Sequence, residues 1–129
     1  MKQAIGKALL VVFMEPEAET EREFNEWYNQ YHVPERVSVP GILSARRYEL
    51  CDGEGALKYL AIYELEDEAV LHGEAYLENA AESTPMNFTR PQVQRLVYRQ
   101  VFPETGAFEG RPGTPPAGSS VWPDPVGES

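Results

Sequence analysis

A chain of 129 residues and 14.5 kDa, 42% hydrophobic and 11% aromatic, has the size and apolar content of one packed domain, which excludes a wholly disordered protein. With 21 Asp and Glu against 11 Lys and Arg its formal net charge is −10, so nucleic acid and anionic membrane surfaces would be repelled and neither is an expected partner. A single cysteine, Cys51, excludes an intrachain disulfide and fits a reducing, cytoplasmic setting.

The first apolar run, within residues 7–15 (KALLVVFME), is too short to span a bilayer and no small-residue cleavage site follows it. Its branched side chains alternate as Ala8/Leu10/Val12/Met14 and Leu9/Val11/Phe13, apolar on both faces, which predicts a strand covered on both sides. Phe24, Trp27, Tyr28 and Tyr31 then follow at i, i+3, i+4 and i+7, the stripe of a helix. Glu19, Glu21 and Glu23 sit in its early turns, where they suit the dipole. Pro34 is expected to end that helix, and Pro40-Gly41 to make a turn.

Residues 42–50 read as a second strand, 51–55 as a hairpin loop and 58–66 as a third strand. A second helix is expected over 67–82, with Val70, Gly73, Leu77 and Ala80 along one side. A fourth strand over 93–102 would place Val93 and Val97 opposite Leu96 and Tyr98. The order β-α-β-β-α-β predicts an α+β, ferredoxin-like domain with a four-stranded antiparallel sheet over residues 1–105. Two helices cover one face of such a sheet. The other keeps large apolar residues, drawn from Tyr48, Tyr59 or Ile62, and Tyr98 or Val97, so a homodimer pairing its sheets into a barrel is expected. Residues 103–129 hold six of the 11 prolines and five of the 10 glycines. The stretch 106–129 therefore reads as a tail that adds little stability, with Trp122, Val121 and Val126 its only obvious anchors.

The segment 24–50, FNEWYNQYHVPERVSVPGILSARRYEL, delivers Trp-Tyr and then His from a helix, a Pro break, a VPG turn and an Arg-Arg-Tyr strand. It resembles the EthD-like group of dimeric α/β-barrel proteins, and the resemblance extends over about residues 7–102. It implies the fold more than the reaction, because relatives include lactone isomerases, cofactor-free aromatic oxygenases, polyketide cyclases and haem-binding or haem-degrading enzymes. In EthD-like isomerases a His at the end of the first helix and a Tyr late in the second strand line the pocket. These match His32 and Tyr48, and the resemblance implies catalytic roles for both.

His32 is also the natural acid–base group by chemistry, since imidazole titrates near neutrality, and a helix C-terminus would favour its charged form. The competing reading is a capping His bonded to backbone. Tyr48 shares a strand face with Ser44 and Arg46, so Arg46 is the expected partner for a substrate carboxylate or oxyanion, while Arg47 points the other way. Trp27, Tyr28 and Tyr31 are core residues by spacing, one of which could also wall a pocket, with Trp27 and Tyr28 the candidates for substrate binding. Widely separated His32, Cys51 and His72 argue against a metal site, and no phosphate-binding or dinucleotide loop is present. The expected function is a cofactor-independent enzyme moving a proton on a small apolar or aromatic oxygenated compound. The alternatives are a cofactor-free oxygenase and a non-catalytic dimer holding a ligand or haem.

Overall fold

The structure, a computed structural model, describes residues 6–113. Trp122, Val121 and Val126 of the expected tail lie outside the described residues. Four strands, β1 (Ala8–Glu15), β2 (Ile42–Glu49), β3 (Tyr59–Leu65) and β4 (Gln92–Arg99), form one antiparallel sheet in the order β2-β3-β1-β4. This is the ferredoxin-like arrangement that the alternation of elements predicts, with β1 in the interior because it is the strand apolar on both faces. Gly41, at φ 96°, makes the turn into β2 in the left-handed region that favours glycine.

The inner face of the sheet carries Ala8, Leu10 and Met14 of β1 and Ala61, Tyr63 and Leu65 of β3, all buried. Phe24, Trp27 and Tyr28 pack onto it from the first helical run and Leu71 from the second, so the core is one cluster between sheet and helices. The register places Leu9, Val11 and Phe13 on the outer face beside Leu60 and Ile62 of β3, Leu96 and Tyr98 of β4, and Tyr48 of β2. Of the alternatives open in the sequence, Ile62 and Tyr98 face outward and Tyr59 and Val97 inward. Tyr48 and Tyr98 remain 48% and 55% exposed, so this face is open at both of its margins, while Val11 at its centre is buried.

The first helix departs from expectation at Pro34. The α-helix α1 (Glu21–Trp27) continues as a π-helical turn at Tyr28–His32 and then as α2 (Val33–Val37), with helical backbone throughout. Pro34 lies in the first turn of α2, where its missing N–H is least costly, so the chain does not stop. The wider turn adds a residue and rotates everything after it by about 100°. Tyr31, expected on the buried stripe, is consequently 49% exposed. His32 and, four residues on, Arg36 turn inward instead.

The second helix is shorter than expected. Asp67 accepts the Ala69 backbone N–H at 2.7 Å and opens a 3-10 turn, Glu68–His72. Gly73 is extended (φ −82°, ψ 161°), and α3 begins only at Glu74 and runs to Ala81. Glycine gives the helix no reason to pass through this position. Leu77, expected to pack, is 55% exposed, while Leu71 and Tyr76 face the core. No helix among the described residues is long and apolar enough to cross a membrane.

Candidate functional site

Between the inner face of the sheet and the helices lies a cavity of about 220 Å³. Leu10, Val12 and Met14 form one wall, Phe24, Trp27 and Tyr28 the opposite one, and His32, Arg36, Tyr63 and Tyr76 supply its polar groups. The exposed lining residues are Val93 and Arg95, both on β4, so the cavity opens along that strand. A small apolar chamber with a few convergent polar groups is what a small-molecule site requires.

His32 is held by packing. Its ring stacks on Trp27 at 4.8 Å between centroids and meets the Tyr28 ring edge-on at 4.7 Å. Its Nδ1 is buried and makes no hydrogen bond among the described residues. This removes the backbone-capping alternative for that atom. It also corrects the expected charge state. The helix continues to Val37, so His32 is not at a C-terminus. Burial first, and then the cationic Arg36 and Arg47, pull its pKa down from 6.5 to about 4 against the pull of Glu35. His32 is therefore a neutral imidazole at neutral pH, a group able to take a proton.

Tyr63 donates to the Tyr28 hydroxyl at 3.3 Å, and burial raises the pKa of both phenols, so both stay protonated. Arg36, 9% exposed, donates from Nη1 to Asn79 Oδ1 at 2.8 Å, and its guanidinium lies 5.9 Å from the Tyr76 ring centroid. Trp27 and Tyr28 line the cavity. Tyr48, Arg46 and Ser44 do not reach it. Their parity on β2 turns them to the outer face, where Arg46 and Tyr48 are exposed and Ser44 donates to Glu64 at 3.2 Å. Within one chain the expected grouping of His32 with Tyr48 and Arg46 is therefore divided by the sheet.

Arg47 takes the inward position instead. Its guanidinium lies 4.5 Å from the Tyr28 ring centroid and 5.1 Å from that of Tyr59, and donates to Asn29 and Asn25 at 2.8 and 2.9 Å. It braces the wall behind the cavity and is not among the lining residues.

The segment 82–91 closes one side through Met86 and Pro91. It is tied down at Thr84, whose hydroxyl donates to the Glu35 carboxylate, whose N–H reaches Glu35 at 3.2 Å, and whose carbonyl accepts from Trp27 Nε1 at 3.1 Å. These bonds to Thr84 hold the Glu35 carboxyl below its ordinary pKa. Thr84→Val deletes the hydroxyl bond alone, so cleavage within 82–91 in limited proteolysis should accelerate roughly three- to tenfold, the effect of about 1 kcal/mol on a local opening.

Of Tyr63 and Glu64, which the alternation of the third strand puts on opposite faces, Tyr63 is the one that faces the cavity; Arg36, Tyr76 and Arg95 escape the sequence reading. For Arg95 a signal exists, since it interrupts the inward-facing Val93 and Val97 of β4.

No protein-family model matches the chain, and no curated protein is significantly similar to it. Solved structures are similar in shape. A candidate monooxygenase from Shewanella loihica superposes with TM-score 0.55 at 15% identity, over 76% of this chain and 97% of that one. The haem degrader MhuD from Mycobacterium tuberculosis gives 0.55 at 16%, over 73% and 95%. An EthD family protein from Bacillus halodurans gives 0.52 at 11%, over 74% and 99%. The chain has their ferredoxin-like fold. The expected resemblance to EthD-like proteins is thus met in the architecture, at identities that carry no residue roles.

A haem in this cavity would need an imidazole and room for a porphyrin. At about 220 Å³ the chamber is below the ~300 Å³ at which pockets begin to hold drug-sized ligands, so the residues present do not fit that group. Among the described residues no cluster of His, Cys, Asp and Glu could hold a metal ion.

Proposed function

We propose that the protein is a cofactor-independent enzyme that moves a proton on a small apolar or aromatic oxygenated compound bound between sheet and helices. The observation that carries this reading is the uncharged His32 ring in the wall of an apolar chamber. The substrate packs on Leu10, Val12 and Trp27. His32 accepts a proton from the carbon beside a carbonyl or lactone, and returning it elsewhere gives isomerisation, cyclisation or elimination. Negative charge developing on the oxygen is stabilised by the Arg36 guanidinium and by the paired hydroxyls of Tyr28 and Tyr63, in a site screened from water.

A panel of small ketones, lactones and phenols incubated with the protein in D₂O tests this by proton NMR. Carbon-bound deuterium should appear in at least one compound with the native protein and not with His32→Gln. Exchange that survives the substitution unchanged would remove His32 from the step. The oxygenase reading begins with the same base taking a phenolic proton, and is supported by the fold likeness to a candidate monooxygenase. Oxygen uptake with hydroquinones would distinguish it.

The reading includes a homodimer. The outer face aligns Ile62, Val11 and Leu96 in one row and Leu60 and Phe13 in the next, and a second copy would cover them. Light scattering at micromolar concentration should give twice the chain mass, and Ile62→Lys should shift it to the monomer. A native monomer would contradict the dimer.

A further inference from the structure

The cavity's charge goes against the charge of the chain. Of its 14 lining residues none is Asp or Glu, although the protein has 21 acidic residues, and two are arginines. Among the described residues neither has a carboxylate partner. Arg36, nine-tenths buried, has the neutral Asn79 amide oxygen as its hydrogen-bond partner, and Arg95 donates from Nη2 to the Tyr76 hydroxyl at 3.3 Å. The ion pairs among the described residues are Arg22–Glu26, Lys58–Glu21 and Arg99–Glu68, and include neither. Glu35, next to Arg36 in sequence, is turned to Thr84. Tyr76 stands between the two cations, its ring near Arg36 and its hydroxyl bonded to Arg95, so both guanidiniums border the same side of the chamber.

A buried guanidinium normally finds an anion, because its solvation is lost and a neutral amide repays little of it. We propose that the anion is the ligand's: the cavity takes a small aromatic or alicyclic carboxylate, whose charged group is bound by Arg36 within and Arg95 at the opening while its ring occupies the apolar walls. The proposal rests on the reading of this cavity as the substrate site and adds the substrate's charge. Arg95 lies on the exposed β4 margin, where it can meet the carboxylate first and pass it inward to Arg36. The protein as a whole, at net −10, repels such ligands, so the two arginines also decide where an anion settles.

Benzoate and benzamide, nearly the same in shape and different in charge, test this by isothermal titration calorimetry on the full chain. Benzoate should bind about tenfold or more tightly than benzamide. Arg36→Met and Arg95→Met should each weaken benzoate by about tenfold and weaken benzamide clearly less, since its neutral carbonyl loses a weaker bond than a carboxylate does. Should Arg36→Met fail to fold, the exposed Arg95→Met carries the comparison alone. Equal binding of the two compounds, benzoate affinity unaffected in Arg95→Met, or no benzoate binding at millimolar concentration would overturn the proposal. Benzoate need not react, so this result is independent of the proton-transfer reading. Deuterium exchange into uncharged ketones with equal benzoate and benzamide binding would sink the anion site and leave the catalytic reading standing. Selective benzoate binding with no exchange in any compound would do the reverse.

Discussion

Turnover of the proton-transfer substrate falls by about 10²-fold or more in His32→Gln, the usual contribution of a positioned base. Glutamine keeps a polar side chain of similar length between Trp27 and Tyr28 and removes the titrating nitrogen, so the loss is expected in kcat with little change in KM. In the native protein kcat/KM should be flat through neutral pH and decline only as the solution approaches pH 4, where His32 takes up its proton. Stability follows the same group in the opposite state of the chain. His32 binds protons below about pH 4 when folded and below about 6.5 when unfolded, so between these values the unfolded chain holds more protons and stability falls as pH falls. The full loss is on the order of 3 kcal/mol, from 1.36 kcal/mol per pH unit. Glu21, Glu35 and Glu68 have lowered pKa values and lose their contributions only below their ordinary 4.5, a separate window. Urea unfolding at pH 7, 6 and 5 should thus show a decline that His32→Gln flattens, and an unchanged slope in the variant would place the titration elsewhere.

Phe24→Ala should be among the most destabilising single changes in the domain, at about 3–5 kcal/mol. Phe24 is 1% exposed and its ring centroid lies 5.5 Å from that of Tyr28 and 6.3 Å from those of Tyr59 and Phe88. The Arg47 guanidinium rests 5.5 Å from the same ring. Truncation removes the transfer energy of the ring and leaves a void next to the existing cavity, with no neighbouring apolar chain free to collapse into it. For a domain of this size the melting midpoint should drop by about 10 °C or more by calorimetry. Phe24→Leu, which refills most of the volume, should recover over half of that. A drop of only a few degrees in the alanine variant would mean that the aromatic cluster is not the centre of the core.

The arrangement of elements is legible in the sequence because period and composition state it: β1 is apolar at every position from Ala8 to Met14, and Phe24, Trp27 and Tyr28 mark the buried side of the first helix. The candidate site is legible only in part. Pro34 reads as a stop by local chemistry, and nothing in the residues 28–32 announces an added residue in the turn. That residue changes which side chains face the sheet, bringing Arg36 in and sending Tyr31 out. On β2 the alternation correctly separates Ser44, Arg46 and Tyr48 from Arg47. It cannot say which set the helices cover, because Tyr48 and the aliphatic stem of an arginine are both plausible against a wall. That choice depends on contacts with residues far away in sequence, Tyr28, Tyr59, Asn25 and Asn29, and such information is not local. On β4 the inward Arg95 was visible as a break between Val93 and Val97, yet its meaning depends on Tyr76 and Arg36 lying beside it.

Everything proposed for this site depends on His32 standing uncharged in the wall of the cavity. Titration of its imidazole by ¹⁵N or ¹³C NMR on the native full-length protein tests this most directly, with the signal of the exposed His72 identified through His72→Asn. The midpoint for His32 should lie near 4. A midpoint at or above its ordinary 6.5 would mean that the ring is solvated or paired with an anion of the protein, and would contradict the account.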